Sequence, residues 1–275
     1  MIEFFTEFFS FSFLLRALIG GLLVALSASL LGTSLVLTRY AMIGDGLSHV
    51  AFGALAVAMA LSASPLAFSL PVVIVTAFLL LRLSDSSRIR GDAAIAMISA
   101  ASMAAGVIAI SVTKGLNTDL YSFMFGSILS MSHADLMLAI ALSIVVSILF
   151  VFAYNNLFAV TFDENFARAS GVRVGLWNAL LAVLASVTIV LGMRIMGAIL
   201  ISSLIIFPPL SAMRLCGSFK GVTVVAAISS IICFVTGLFL SYALDLPSGP
   251  VIVMVNVAAF LVFSLIKVSG TVKKM

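Results

Sequence analysis

The chain has 275 residues, 63% of them hydrophobic and only 9% charged, against roughly 45–50% and about 25% in soluble domains. Its 14 basic and 10 acidic residues leave a net charge of +4. The basic residues are spread through short segments, which excludes a concentrated nucleic-acid-binding surface.

The mean hydropathy is +1.34, and several apolar runs exceed the roughly 20 residues that cross a bilayer as a helix. The expected fold is therefore all-α, a polytopic helical membrane protein. β-barrel spans alternate polar and apolar residues, and these runs do not. The N-terminal segment carries Glu3 and Glu7 and no basic residue before Arg16. It lacks the basic region of a cleaved signal peptide, so the first helix is expected to be retained.

Apolar runs predict spans near 12–38, 46–62, 64–82, 92–112, 134–154, 176–192, 194–213, 221–242 and 249–268. Between the first and second lies Ile43-Gly44-Asp45-Gly46-Leu47-Ser48-His49. On a helix, positions i and i+4 share one face, so Asp45 and His49 can address one object. A carboxylate oxygen and a neutral imidazole suit Zn²⁺ or Mn²⁺ at roughly 2.0–2.2 Å. Two ligands make a loose site; two copies of the chain about a two-fold axis would raise the number to the four that zinc prefers. The alternative is that Asp45 caps a helix beginning at Gly46 and His49 bonds a neighbouring carbonyl. Ser48 reads as a helix-packing residue rather than a ligand.

Only the turn around Ser62 to Pro65 parts the second and third spans. Asp119, His133 and Asp135 form a small polar cluster around the start of the fifth, either a point of metal entry or a solvated loop with Asp135 at a helix start. The segment from Thr161 to Val172 reads as a short surface helix over 161–171. Thr161 is its N-cap, Asp163 and Glu164 fall in its first turn, and Gly171 ends it. It is either a lever pressed by a partner or a structural surface helix. The sixth and seventh spans abut at Gly192-Met193-Arg194, which leaves eight spans as the alternative. Pro208-Pro209 predicts a kink in the seventh run or a discontinuous helix. Cys216 and Cys233, without CxxC spacing, read as small core residues, and the 13 methionines as packing residues.

Arg82, Arg88 and Arg90, Arg168 and Arg173, Arg214 and Lys220, and Lys267, Lys273 and Lys274 fall on one side of a nine-span chain. The positive-inside rule makes that side cytoplasmic, with the N-terminus outside. The opposite side holds little beyond Lys114, Asp119, His133, Asp135, Arg194 and Asp245. The whole of 1–275 reads as one transmembrane domain with no soluble appendage. None of the five lysines ends a GxxxxGK[ST] phosphate loop, so an ATP-driven process would need another polypeptide, and no nucleophile–base constellation points to an enzyme.

Several motifs in order carry a resemblance. These are Met42 to His49; Asp119-Leu120 followed by Phe125-Gly126-Ser127-Ile128-Leu129; and Asp163-Glu164 through Ala167, Ala169 and Gly171. Met196-Gly197-Ala198-Ile199-Leu200 then leads to Pro208, and Leu246-Pro247-Ser248-Gly249-Pro250 closes the set. With them the chain resembles, over nearly its full length, the permease subunit of bacterial zinc/manganese-type ABC importers. The resemblance implies a permease homodimer in the cell membrane, two cytoplasmic ATP-binding cassette subunits and an extracytoplasmic metal-binding protein. It implies no permanently bound cofactor, with a divalent metal, zinc or alternatively manganese or iron, as the cargo. Asp45 and His49 would line the metal path, and 161–171 would be the coupling helix docked on the ATPase through Asp163, Glu164, Ala167 and Gly171.

The chain departs from the family pattern at Pro208-Pro209-Leu210-Ser211-Ala212, where a single proline followed by small residues is usual, and at Gly46, where alanine is common. Ser202-Ser203-Leu204-Ile205-Ile206 and Arg214 resemble the zinc branch more than the manganese one. Two other classes compete. An ion-coupled secondary transporter also uses intramembrane acids and broken helices, but leaves an ordered helix at 161–171 without a purpose. An intramembrane enzyme needs convergent catalytic groups that the sequence lacks.

Overall fold

The computed structural model describes residues 10–38, 40–84, 91–113, 126 and 128–272. The readings at Glu3, Glu7, Arg88, Arg90, Lys114, Asp119, Leu120, Phe125, Ser127, Lys273 and Lys274 lie outside the described residues. Hydrocarbon offers no water to unpaired backbone groups, so a spanning segment must satisfy its own N–H and C=O groups as a helix. The apolar runs do so as α1 (Ser12–Leu37), α2 (Ala41–Ala60), α3 (Pro65–Ser84), α4 (Gly91–Val112), α5 (His133–Phe162), α7 (Val174–Met196), α8 (Ala198–Leu215), α9 (Phe219–Leu244) and α10 (Ser248–Val272). A short helix, α6 (Glu164–Ala169), joins α5 to α7, and a single 3-10 turn occupies Ile128–Ser130.

Among the described residues, nine helices are long and apolar enough to cross a membrane. The count is nine rather than eight. The break between the sixth and seventh lies at Gly197 and not at 192–194. α7 runs on through Gly192, Met193 and Arg194, and Gly197 then turns the chain with φ +88°. Only glycine adopts that region without steric cost. The junction is buried, and the Gly197 N–H donates to the Met193 carbonyl at 2.8 Å.

The diproline does not interrupt α8, which runs unbroken from Ala198 to Leu215. Pro209 has no N–H for the Ile205 carbonyl four residues back. That oxygen instead faces Gly32 of α1, where any side chain would collide with it. α1 can pack this close to the freed carbonyl only because Gly32 has no Cβ, and membrane helices tolerate proline where a neighbouring helix covers the site.

α1, α2, α7 and α8 form the centre of the bundle, while α3, α4 and α10 are peripheral. The large exposed apolar residues, such as Val151 and Phe152 on α5 and Leu261 and Leu265 on α10, are the ordinary lipid face of a membrane protein. At the end of α8 the Arg214 guanidinium lies 5.2 Å from the centre of the Phe260 ring of α10, a cation–π contact that ties these two helices.

Candidate functional site

α2 begins at Ala41, five residues earlier than its apolar run predicts, and its N-cap, Tyr40, supplies no side-chain cap. Asp45 therefore sits inside the helix and caps nothing, which corrects the alternative reading of it. One turn on, His49 shares its face, with Nε2 3.6 Å from the Asp45 Oδ2. That is long for a hydrogen bond. A tetrahedral ion with bonds of about 2.0–2.1 Å holds two of its ligands about 3.4 Å apart, so the pair already stands near the spacing that an ion between them requires. The side chains are half-buried, Asp45 41% and His49 29% exposed.

The residues around Asp45 explain why it points where it does. Gly44 faces Ile205 of α8, and Gly46 faces Ile95 of α4, so closely that a Cβ at position 46 would overlap the branched methyl of Ile95. The Gly-Asp-Gly run lets α2 slot between α4 and α8 and leaves Asp45 aimed into the gap. It also accounts for Gly46 where alanine is common, since Ile95 takes the space a methyl would need.

The gap is a cleft of about 310 Å³ walled by α2, α4 and α8. Asp45 and His49 line it from α2, Met103 from the middle of α4, and Ile199 and Ser202 from the start of α8. It lies against the first three turns of α2, the middle of α4 and the first turns of α8, all three of them helices long and apolar enough to cross a membrane. Ser48 also borders it, but its hydroxyl donates to the Asp45 carbonyl at 2.7 Å, in keeping with a helix-packing role. The Ser202 hydroxyl likewise donates to the Ile199 carbonyl at 3.1 Å. Among the described residues no group of three or more His, Cys, Asp or Glu side chains converges, so one copy of the chain offers two strong metal donors here.

At the start of α5, the Asp135 N–H donates to Ser132 Oγ at 3.1 Å, and the Ser132 N–H and O–H donate to Asp135 Oδ2 at 3.3 and 2.6 Å. This is a reciprocal capping box. The other carboxylate oxygen lies 3.2 Å from Nη2 of Arg194, in the last turn of α7. Asp135 is thus engaged as helix cap and ion-pair partner, and His133 is exposed beside it.

The short helix differs from its sequence reading at its start. α5 continues to Phe162, so Thr161 belongs to the last turn of α5, and the cap of α6 is Asp163, whose carboxylate accepts from the Phe166 N–H at 2.9 Å. An i,i+4 pair follows, Arg168 Nη2 donating to Glu164 Oε1 at 2.9 Å. At the far end Gly171 has φ +84°. The Val172 N–H reaches the Ala167 carbonyl at 3.0 Å, and the Gly171 N–H the Arg168 carbonyl at 3.1 Å. These two bonds with a left-handed glycine are a Schellman motif. Ala167, 1% exposed, is buried against Val160 and Val174, while Phe166 is 68% exposed. Ala167 seats the helix, and Phe166 is the apolar residue presented outward.

The sequence did not reveal Met103 as a wall of the cleft, because no spacing links α4 to α2. Nor did it pair Asp135 with Arg194, although both fell on the same side of the predicted topology. Exposed Phe166 beside buried Ala167 was detectable only with the register of α6 in hand.

Among the described residues, nine apolar helices, three of them walling a cleft that holds a half-buried acid–imidazole pair, and one capped helix outside the spans make the architecture of a multi-pass membrane protein. The model of the ABC 3 transport family matches residues 10–267, and the chain belongs to that family. It is an ABC transporter permease of the bacterial inner membrane. It is similar to the manganese transport system membrane protein MntC of Halalkalibacterium halodurans, 28% identical over 94% of this chain and 88% of that protein. It is also similar to the high-affinity zinc uptake system membrane protein ZnuB of Haemophilus influenzae, 28% identical over 94% of this chain and 98% of that one. Among solved structures, PsaBC from Streptococcus pneumoniae in complex with Fab superimposes with a TM-score of 0.85 at 28% identity, covering 96% of this chain and 95% of that one.

Proposed function

We propose that this chain is the membrane-spanning subunit of an ATP-driven divalent-metal importer whose foremost cargo is zinc. Two copies form the path between them, and Asp45 and His49 of each copy ligate the ion in transit. The observation that carries this reading is the 3.6 Å Asp45–His49 pair on the wall of a cleft in the interior of the bundle. Ionisable groups within membrane-spanning segments are costly and mark transport pathways. Two donors per copy hold an ion loosely, as a conduit requires, and four across a two-fold axis complete a zinc shell. Manganese is the second reading, favoured by similarity to relatives named for manganese transport; oxygen and imidazole serve both metals.

ATP would be hydrolysed by cytoplasmic ATP-binding cassette subunits, and the ion delivered by an extracytoplasmic metal-binding protein. α6 is the coupling helix within the single transmembrane domain. Asp163 and Gly171 fix its two ends, the Glu164–Arg168 pair braces its surface, Ala167 holds it to the bundle, and Phe166 stands outward for the ATPase. The direct test is uptake of radioactive zinc and manganese by a transporter-deficient cell supplied with the chain and its partner genes. Zinc accumulation is expected. Accumulation of manganese alone would change the cargo and keep the mechanism, whereas no uptake by an assembled complex would remove the importer reading.

A second test addresses α6. Gly171 has no atom within contact distance of where a Cβ would stand, so Gly171→Val introduces backbone strain without a clash. A β-branched residue in the left-handed region costs about 1–2 kcal/mol, enough to unwind a six-residue helix held by few contacts. Gly171→Val and Glu164→Lys are expected to reduce co-purification of the ATPase and metal-stimulated hydrolysis. Wild-type levels of both would remove the coupling role.

A further inference from the structure

A second polar cavity of about 380 Å³ lies at the opposite end of α2 from its outer turn, where α3 ends and α6 leads into α7. Arg82 reaches it from the last turn of α3 and Arg168 from α6; Asn178 of α7 adds an amide, and Phe78 and Leu81 supply an apolar wall. The positive-inside rule places this end at the cytoplasmic surface.

From this arrangement we infer that the cavity binds the phosphodiester headgroup of an anionic phospholipid. Two guanidinium groups from separate elements converge on one space, and planar forked donors are the best match for phosphate oxygens. Arg168 already donates to Glu164, but a guanidinium carries five N–H donors and keeps others for a ligand. Arg82 makes no ion pair among the described residues, so the cavity holds an excess of one positive charge over Glu164. Phe78 belongs to the same peripheral face of α3 as the exposed Val75 and Leu79. A headgroup bound between the arginines therefore has a lipid-facing surface beside it for its acyl chains. A free anion has no use for that wall, and a water-soluble partner would leave it uncovered. Because Arg168 lies on α6, a bound headgroup bridges α6 to α3 and steadies the helix. That consequence rests on the coupling role proposed above, whereas the binding itself does not.

The test uses the purified complex with its ATPase subunits, in nanodiscs of phosphatidylcholine with or without phosphatidylglycerol. Native mass spectrometry after delipidation reads retained phosphatidylglycerol, and thermal melting reads protection. Wild type is expected to retain phosphatidylglycerol over phosphatidylcholine and to melt at a higher temperature with it. The Arg82→Gln complex is expected to retain about fivefold less, the ratio that about 1 kcal/mol per basic residue near an anionic surface corresponds to. Its melting in pure phosphatidylcholine should be unchanged, and Arg82→Lys should recover part of the retention. Equal retention by Arg82→Gln would overturn the inference, as would no preference for phosphatidylglycerol in wild type. Protection reproduced by inorganic phosphate alone would assign the cavity to a free anion and overturn the lipid. Since lipid retention is read without transport, a failed uptake assay leaves this result standing, and the reverse also holds.

Discussion

Asp45→Ala and His49→Ala are each expected to abolish metal uptake while the permease still assembles. Each removes one of the two strong donors a copy presents to the cleft. Loss of groups that merely orient a metal ligand already costs about 10–100-fold, so loss of a ligand should cost at least about 100-fold in uptake. Both side chains are only half-buried and border a cleft, so truncation opens no void in a packed core, and the amount of membrane complex should stay near wild type. Asp45→Asn sharpens the test because it keeps the volume and the helix and loses only the charge. It should fail as Asp45→Ala does. Uptake at wild-type rates in both alanine variants, with expression matched, would take the pair out of the pathway.

Gly53→Ala should destabilise the protein more than any other single methyl added to α2. Here α2 crosses α4 with backbone against backbone. A Cβ at 53 would overlap the carbonyl oxygen of Ser102, and a Cβ at the facing Gly106 would come within 2.9 Å of the Gly53 Cα. A side chain in the way could change rotamer, but a helix carbonyl cannot without breaking its own ladder, so the helices must part. Overpacking of this kind costs typically 1–3 kcal/mol, and small residues are the means by which membrane helices approach at all. A fall of several degrees in the melting temperature in detergent is expected. Uptake should fall too, because Met103, next to Ser102, moves with α4 away from the cleft it lines. An unchanged melting temperature would mean that α2 and α4 do not pack this closely.

The spans were legible because hydrocarbon imposes one solution on an apolar run, and the errors cluster at helix ends. α2 starts at Ala41 because the pattern of apolar residues breaks at the glycines and Asp45, although the helix does not. α5 outruns its predicted end by eight residues because Tyr154, Asn155 and Asn156 look like an exit from the membrane yet remain helical. Thr161 was read as a cap for the same reason, when Asp163 holds that position. Pro208-Pro209 left a kink and a break open, and sequence had no means of showing that Gly32 waits opposite the Ile205 carbonyl. The Asp45–His49 pair was legible from spacing alone. Its cleft was not, since Met103 and Ser202 join it only through helix packing.

α5 contains neither glycine nor proline in its 30 residues. At 1.5 Å per residue it is about 45 Å long, some 15 Å more than the hydrocarbon layer. A helix without those residues has none of the usual sites of kinking, so it behaves as a push rod. One tip ends at Asp163, the cap of α6, and the other carries Asp135, clasped to Arg194 three residues before the Gly197 joint. The two faces of the membrane are therefore linked mechanically by a single strut. A displacement of α6 along that axis would be carried toward the Arg194 clasp, beside the Gly197 joint where α8, one wall of the Asp45–His49 cleft, begins.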